Sequence, residues 1–378
     1  MQSEPATTRA AVPFFDLGPS IEGLKHEILE DVATLIDEGS FTNGRQVQLF
    51  EEAFASYCDA RHCIGLASGL DALRLALLAA DVEPGDEVIV PAMTFVATLE
   101  AVSQAGGRPV LVDIGDSDYC LDVEHAAMAV GGRTRFVMPV HLYGQMADIG
   151  AVVRLADERG LVVVEDACQA HGAVRDGVAA GTAGLSGAFS FYPAKNLGAF
   201  GDAGALVTND ATIAARVRAL REHGQSRKYR HDVDGYTARL DTIQALVLLH
   251  KLPFLDAWNE ERRAVARLYG EALDGVGDLR LPQTAPGSEH VWHLYVVRTD
   301  DPGSLADQLQ REGIRTGRHY PEPPHLSNAF AHLGYGIGDF PIAEALAREA
   351  ISLPLFPGMT ERQIDDVVRA IKGHFSGA

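Results

Sequence analysis

Between residues 63 and 173 the chain repeats one pattern: a short unbroken apolar run, a turn of small residues, then a stretch of helical period. The runs cover residues 63–67, 88–90, 109–113, 136–144 (FVMPVHLYG) and 161–173 (LVVVEDACQAHGA). Helices are predicted from Asp71 onward, where Leu73, Leu77 and Leu78 share a face, from near Thr94, and over 149–158. A strand that is apolar at every position leaves no side for water, so both faces of its sheet must be covered. Alternation with helices makes the sheet mostly parallel. The predicted fold class is therefore α/β, a mostly parallel central sheet covered by helices. Ligands in such sheets bind beyond the carboxyl ends of the strands. Ser68, Thr94, His141, Asp166 and Ser190 fall at those ends.

The flanks complete the plan. A helix is predicted over 21–36, ending at Gly39, then a turn at 41–44 and a second helix through Val47, Phe50, Phe54 and Tyr57. After residue 186 come a strand (AFSFY), a glycine-rich loop, a second strand (AGALVTND), a charged helix over 211–223, and an amphipathic helix with Arg239, Asp241 and Gln244 near its start. We place a mobile tail at 1–12, a large domain at 13–255, and a smaller C-terminal α+β domain at 256–378. The second domain holds the strand WHLYVVRT, helices over 304–312, 343–350 and 360–374, and the strand-like ISLPLF. Its Pro-rich loop at 321–324, with His319 and His325 on either side, cannot be regular structure and is placed to line a cleft.

Charge narrows the ligand. With 32 basic and 52 acidic residues the net charge is −20, which opposes nucleic acid and anionic membranes. The densest basic stretch, Arg227, Lys228 and Arg230 with His231, is short. A phosphorylated small molecule remains possible, because backbone amides can hold it locally. The four cysteines show no C-x-x-C spacing, which suits a reducing cytoplasm and gives no metal signature. Neither a signal-peptide core nor a spanning run is present, so a soluble cytoplasmic protein is expected.

Three places carry chemistry. Lys195 lies in SGAFSFYPAKNLGAFGDAG among small and aromatic residues. Burial there would favour a neutral, nucleophilic amine able to form a Schiff base, most plausibly with pyridoxal phosphate; a surface-loop lysine is the alternative. The Ser68-Gly69-Leu70 turn would offer free helix N–H groups to a phosphate, or is an ordinary capped joint. Asp166, ending Val162-Val163-Val164-Glu165, could hold a pyridinium proton or cap the next helix.

The order turn, aspartate, lysine resembles the fold-type I pyridoxal-phosphate enzymes. More narrowly, SGLDAL, PVHLYG, VVEDACQAHGA, SFYPAKNLGAFGDAG, the RLDTIQA run, WHLY and HYPEPPHLSNA are similar to the DegT/DnrJ/EryC1/StrS family of nucleotide-sugar aminotransferases, over nearly the whole chain. The resemblance implies that Lys195 binds the cofactor aldehyde and shuttles the proton, and that Asp166 pairs with the ring nitrogen. It implies that Gln169 meets the phenolic oxygen and that Phe95 stacks on the ring. Ser190 and the Ser68, Gly69 and Leu70 turn would hold the phosphate. His171 is either near Asp166 or a satisfied core histidine. Tyr192, Arg239, His319, Tyr320 and His325 become candidates for substrate binding. The family's asparagine before the arginine of G-x-N-x-R-L is Thr237 here, in Gly235-Tyr236-Thr237-Ala238-Arg239-Leu240, which weakens an expected contact to the partner subunit's cofactor. A homodimer with shared sites follows from the same likeness. So does transfer of an amino group from an amino acid, with L-glutamate the expected donor, to C-3 of a dTDP-3-keto-6-deoxyhexose. The alternatives are a C-4 or keto-cyclitol substrate, or a non-catalytic cofactor-binding regulator.

Overall fold

The computed structural model describes residues 12–376. It opens with α1 (Gly18–Glu22), α2 (Lys25–Glu38) and α3 (Arg45–Tyr57). Then follow β1 (His62–Leu66), α4 (Gly69–Ala79), β2 (Glu87–Pro91), α5 (Ala97–Gln104), β3 (Arg108–Val112) and α6 (Val123–Ala129). β4 (Thr134–Val137), α7 (Ile149–Arg159) and β5 (Val162–Asp166) continue the alternation. The hairpin β6 (Val174–Arg175) and β7 (Val178–Ala179) leads to β8 (Ser186–Ser190), β9 (Gly204–Thr208) and α8 (Ala211–Arg221). A second hairpin, β10 (Gln225–Arg227) and β11 (Arg230–His231), precedes α9 (Thr242–Lys251) and α10 (Leu255–Leu273). The remainder holds β12 (Ser288–Glu289), β13 (Tyr295–Arg298), α11 (Pro302–Arg311), α12 (Pro341–Glu349), β14 (Ala350–Leu353) and α13 (Glu361–Ser376).

Seven strands form the central sheet in the order β1-β9-β8-β5-β4-β2-β3. β9 pairs antiparallel with β1 and β8, and every other pairing is parallel. Side chains alternate between two cores: Val88, Val90, Val164 and Leu206 face α4, α5 and α8, while Ile89, Val163 and Val207 face α3, α7 and α9. Both sides are dry, which is why the strands read as unbroken apolar runs. The joints are set by short polar side chains and by glycine. Ser68 Oγ accepts from Asp71 N (3.0 Å) and starts α4; Asp148 caps α7, and Gly160, at φ +67°, ends it.

Local expectations shift in four places. The helix predicted over 21–36 breaks at Gly23 into α1 and α2, although its stripe survives: Leu24, Ile28 and Leu35 pack on Leu246, Val247 and Trp258. The helix predicted near Thr94 begins instead at Ala97, because the Thr94 hydroxyl is engaged with Thr98 Oγ1 (2.7 Å) at the end of a turn. The run 136–144 is strand only to Val137 and then turns, with Tyr143 in the left-handed region at φ +57°. Of the tail expected at 1–12, residues 1–11 lie outside the described residues; Val12 is fully buried and bridges Ile314.

The boundary expected at 255/256 falls at the first turn of α10. Leu255 and Trp258 pack with the large core, whereas Val265, Ala266, Tyr269 and Leu273 join the C-terminal core of β13, β14, α11 and α13. The chain then returns: Phe330, Phe340, Ala343 and Leu346 pack back into the core under β2 and β4. The two units therefore share a seam rather than a linker.

Candidate active site

At the carboxyl ends of β1, β2, β5 and β8 the sheet opens into a cavity of about 520 Å³. The loop between β8 and β9 crosses it and places Lys195 on its wall. Glycine makes the approach possible. A Cβ on Gly69 would lie 2.7 Å from Cys168 Sγ and 2.8 Å from Ser190 Cβ, and one on Gly204 would lie 2.3 Å from the Ser68 carbonyl. The start of α4 is thus pressed against β8 and β9. Ser68 serves Asp71, leaving the Gly69 and Leu70 N–H groups without an intrahelical acceptor at the cavity edge.

Asp166 is buried, and its carboxylate is fixed from two sides. Oδ2 accepts from Thr98 Oγ1 (2.8 Å) and Oδ1 from Cys168 N (3.2 Å). Lys195 Nζ makes no hydrogen bond or ion pair among the described residues. Burial pushes the lysine below its usual range, opposed by the nearby Cys168 and Asp166. Gln169 Oε1 accepts from Tyr143 N (2.7 Å), and its Nε2 donates to the Tyr320 hydroxyl (3.0 Å). The Tyr143 hydroxyl donates to the His319 carbonyl, so this wall is a continuous network. Phe95, 52% exposed, faces Tyr320 with ring centroids 5.6 Å apart.

His171 lies behind Ser190 and does not bond Asp166. Its Nε2 donates to the Ser190 carbonyl (2.8 Å), which fixes the tautomer, and its buried Nδ1 has no partner. Burial, then the Lys195 charge, lowers it to about 3.

The structure gathers Ser68, Gly69, Leu70, Phe95, Asp166, Gln169, Ser190, Tyr192, Lys195, His319 and Tyr320 around one cavity. Tyr192 stands at its rim, 56% exposed; His319 stacks on Phe14 at 5.5 Å and is pushed down to about 4 by burial. Three candidates lie elsewhere. His325 is 1% exposed, packed on Phe340 and bonded to Glu344 (3.3 Å), so it is a core histidine, not a cavity residue. Arg239 pairs with Glu222 (2.8 Å), and Thr237 meets His223 Nε2 (3.2 Å); neither lines this chain's cavity. Sequence reasoning missed Thr98, His293 and Arg262, which line the cavity too. Thr98 was findable, one turn beyond Thr94; His293, in the loop before β13, lay within the WHLY motif without being assigned to a site, and Arg262 arrives from α10 with no local signal.

These residues fit a phosphorylated aldehyde with a ring nitrogen. There is a cradle that a Cβ would fill, an amine with no partner, and a fixed carboxylate facing the same space. Comparison with known proteins agrees. Residues 22–372 match the DegT/DnrJ/EryC1/StrS aminotransferase family. The chain is 44% identical to the dTDP-3-amino-3,4,6-trideoxy-alpha-D-glucose transaminase of Streptomyces venezuelae, covering 98% of each chain. It is likewise 44% identical to the erythromycin biosynthesis sensory transduction protein EryC1 of Saccharopolyspora erythraea, over 96% of this chain and 99% of that one. The crystal structure of S. venezuelae DesV in complex with a ketimine intermediate superposes with a TM-score of 0.94 at 45% identity, covering 97% of this chain and 98% of that one.

Proposed function

The chain belongs to the DegT/DnrJ/EryC1/StrS aminotransferase family, and from that premise we propose that it moves an amino group from L-glutamate to C-3 of a dTDP-3-keto-6-deoxyhexose. Its cofactor is pyridoxal phosphate, which when bound supplies an electron-withdrawing ring that lets one amino group pass between two carbon skeletons. The observation that carries the reading is Lys195: an unpartnered amine on the wall of a cavity that also holds the Asp166 carboxylate and the open start of α4. Lys195 Nζ, whose hold on its own proton is weakened by burial, takes and returns the proton at the donor's α-carbon and at the sugar carbon. Asp166 is held by Thr98 Oγ1 and Cys168 N and orients the ring-nitrogen side. The Gly69 and Leu70 amides, with Ser68 and Ser190, would hold the phosphate. Gln169 and Phe95, which line the same cavity, would hold the phenolic oxygen and stack on the ring. Tyr192, His319 and Tyr320 line the remaining space, where the sugar must lie.

The choice of C-3 and of dTDP rests on the S. venezuelae relative, a transaminase of a dTDP-3-amino sugar. We also infer a homodimer working in the cytoplasm. Phe41, Phe200 and Ile243 are exposed apolar side chains around the start of α9, joined through Phe41 O to Thr242 N and Phe200 N to Gln244, a face suited to a second copy. In such a dimer Thr237, which lies outside its own cavity, would face the partner's cofactor. All four cysteines are free, and no helix among the described residues is long and apolar enough to cross a membrane.

The test is spectral and kinetic. Purified protein should absorb in the visible, lose that band on adding L-glutamate, and regain it with a dTDP-3-keto-6-deoxyhexose, with the product aminated at C-3 by NMR. Lys195→Ala should keep the fold but lose the band and about 10³-fold or more of turnover. A band that ignores every amino acid would instead favour the regulatory reading.

A further inference from the structure

The residues read as the phosphate cradle, Ser68, Gly69, Leu70 and Ser190, bring hydroxyls and amides but no positive side chain. The charged group bonded to them is an acid. Ser68 Oγ accepts from Asp71 N (3.0 Å) and donates its one proton to Asp71 Oδ2 (3.2 Å). A hydroxyl engaged in that way cannot donate to a phosphate. A carboxylate one hydrogen bond away also repels a group that carries about two negative charges. Without a counter-charge, the cradle is set against its ligand.

Arg74 answers both difficulties. It stands one turn beyond Asp71 on α4, and long helical side chains lean back toward the helix start. Its Nη2 donates to Asp71 Oδ1, and its Nη1 to Gln104 Oε1 (3.2 Å) at the end of α5. The guanidinium lies over the Tyr236 ring, with Cζ 4.2 Å from the centroid. The Arg74 and Asp71 side chains are only 17% and 18% exposed, so water and salt screen the pair weakly. Neither residue lines the cavity itself. Arg74 is thus fixed by three neighbours, bonded to Asp71 but set back from the space that a ligand fills. We propose that Arg74 is a positioning residue for the cofactor phosphate: its pairing with Asp71 frees the Ser68 hydroxyl to turn to the phosphate and cancels the carboxylate that would repel it. This rests on the reading of the chain as a pyridoxal-phosphate enzyme with its phosphate at the start of α4. An ordinary i,i+3 helix pair would do neither and would matter only to stability.

Dependence on the phosphate separates the two roles. Dissociation constants are measured by equilibrium dialysis for pyridoxal phosphate and for pyridoxal, which keeps the ring and aldehyde but lacks the phosphate. In Arg74→Met the constant for pyridoxal phosphate should rise about tenfold or more, while that for pyridoxal stays within about twofold. Adding Asp71→Asn to Arg74→Met should restore most of the loss. Arg74→Lys, which keeps the charge, should lose less than about threefold. Equal weakening of both ligands would make Arg74 a structural clasp and overturn the proposal. So would no change in either, or a double variant as weak as Arg74→Met alone. Should Arg74→Met fail to fold, Asp71→Asn alone decides. With the Arg74 charge unopposed, that variant should hold pyridoxal phosphate at least as tightly as wild type, with pyridoxal unmoved; weaker binding of the phosphate form overturns the proposal. Wild-type protein that takes up neither ligand overturns the pyridoxal-phosphate reading itself, so the two failures are distinguishable.

Discussion

His171 shows what one buried ring can do to the protein's response to acid. Its Nε2–H is committed to the Ser190 carbonyl, and nothing meets Nδ1, so a second proton would enter an unsolvated place beside Lys195. The folded value is about 3 against an ordinary value near 6.5. Between those limits the unfolded chain binds a proton that the folded chain refuses. The contribution is therefore complete above about pH 6.5 and is lost as pH falls toward 3. His293, lowered by burial and by the same lysine, acts in the same direction. The urea midpoint should fall from pH 7 to pH 5, with His171 supplying a slope of at most about 1.4 kcal/mol per pH unit. In His171→Gln, whose amide can still donate to Ser190, midpoints at pH 7 should drop modestly but the slope should flatten. An unchanged slope would remove His171 from the account.

At the scale of elements, the site depends on how closely α4, β8 and β9 meet. Gly204 is the contact point: an alanine there would set its Cβ 2.3 Å from the Ser68 carbonyl and 2.7 Å from Gly69 N, both backbone atoms that cannot swing aside. Gly204→Ala should cost roughly 1–3 kcal/mol and weaken retention of the cofactor, measured by denaturant melts and by equilibrium dialysis. Gly270→Ala, in α10 with nothing within 4 Å of the new methyl, is the contrast and should gain up to about 1 kcal/mol. These local joints were the part most legible in the sequence. Ser68, Asp166 and Ser190 each end an apolar run, and a parallel sheet brings run ends to one edge without further information. Lys195 was readable by its company. His325 was misread because a Pro-rich loop signals irregular backbone but not its direction; residues 324–326 make a short turn that buries the ring against Phe340. Arg262 was invisible for the opposite reason: it sits in an unremarkable helical pattern, and the chain must cross from one unit to the other before it faces Lys195; His293 stood inside the WHLY motif, but nothing local assigned it to the cavity wall.

That crossing sets the behaviour of the whole molecule. Asp113, just after β3, is buried and reaches across the seam to the uncapped start of α12: Oδ2 accepts from Ile342 N (2.9 Å) and Oδ1 from Ala343 N (2.9 Å). A carboxylate there also faces the positive end of the helix. Nearby, the Tyr335 hydroxyl accepts from Leu111 N (3.2 Å), and Phe340, Ala343 and Leu346 enter the large core. The Arg318 guanidinium then ties α12, through the Ala347 carbonyl (2.8 Å), to the loop bearing His319 and Tyr320. A tie on the sheet is thus mechanically joined to the cavity wall opposite Lys195. Asp113→Ala should lower stability by roughly 2–3 kcal/mol. Because the two units share core residues, calorimetry of the variant should still show a single transition rather than two. Its visible band should be intact, since Lys195 and Asp166 sit on the sheet side, while KM for the nucleotide sugar rises as the Tyr320 wall loosens. Two separated transitions with an unchanged KM would mean that the small unit folds and moves on its own, and that α12 is not what holds the substrate wall in place.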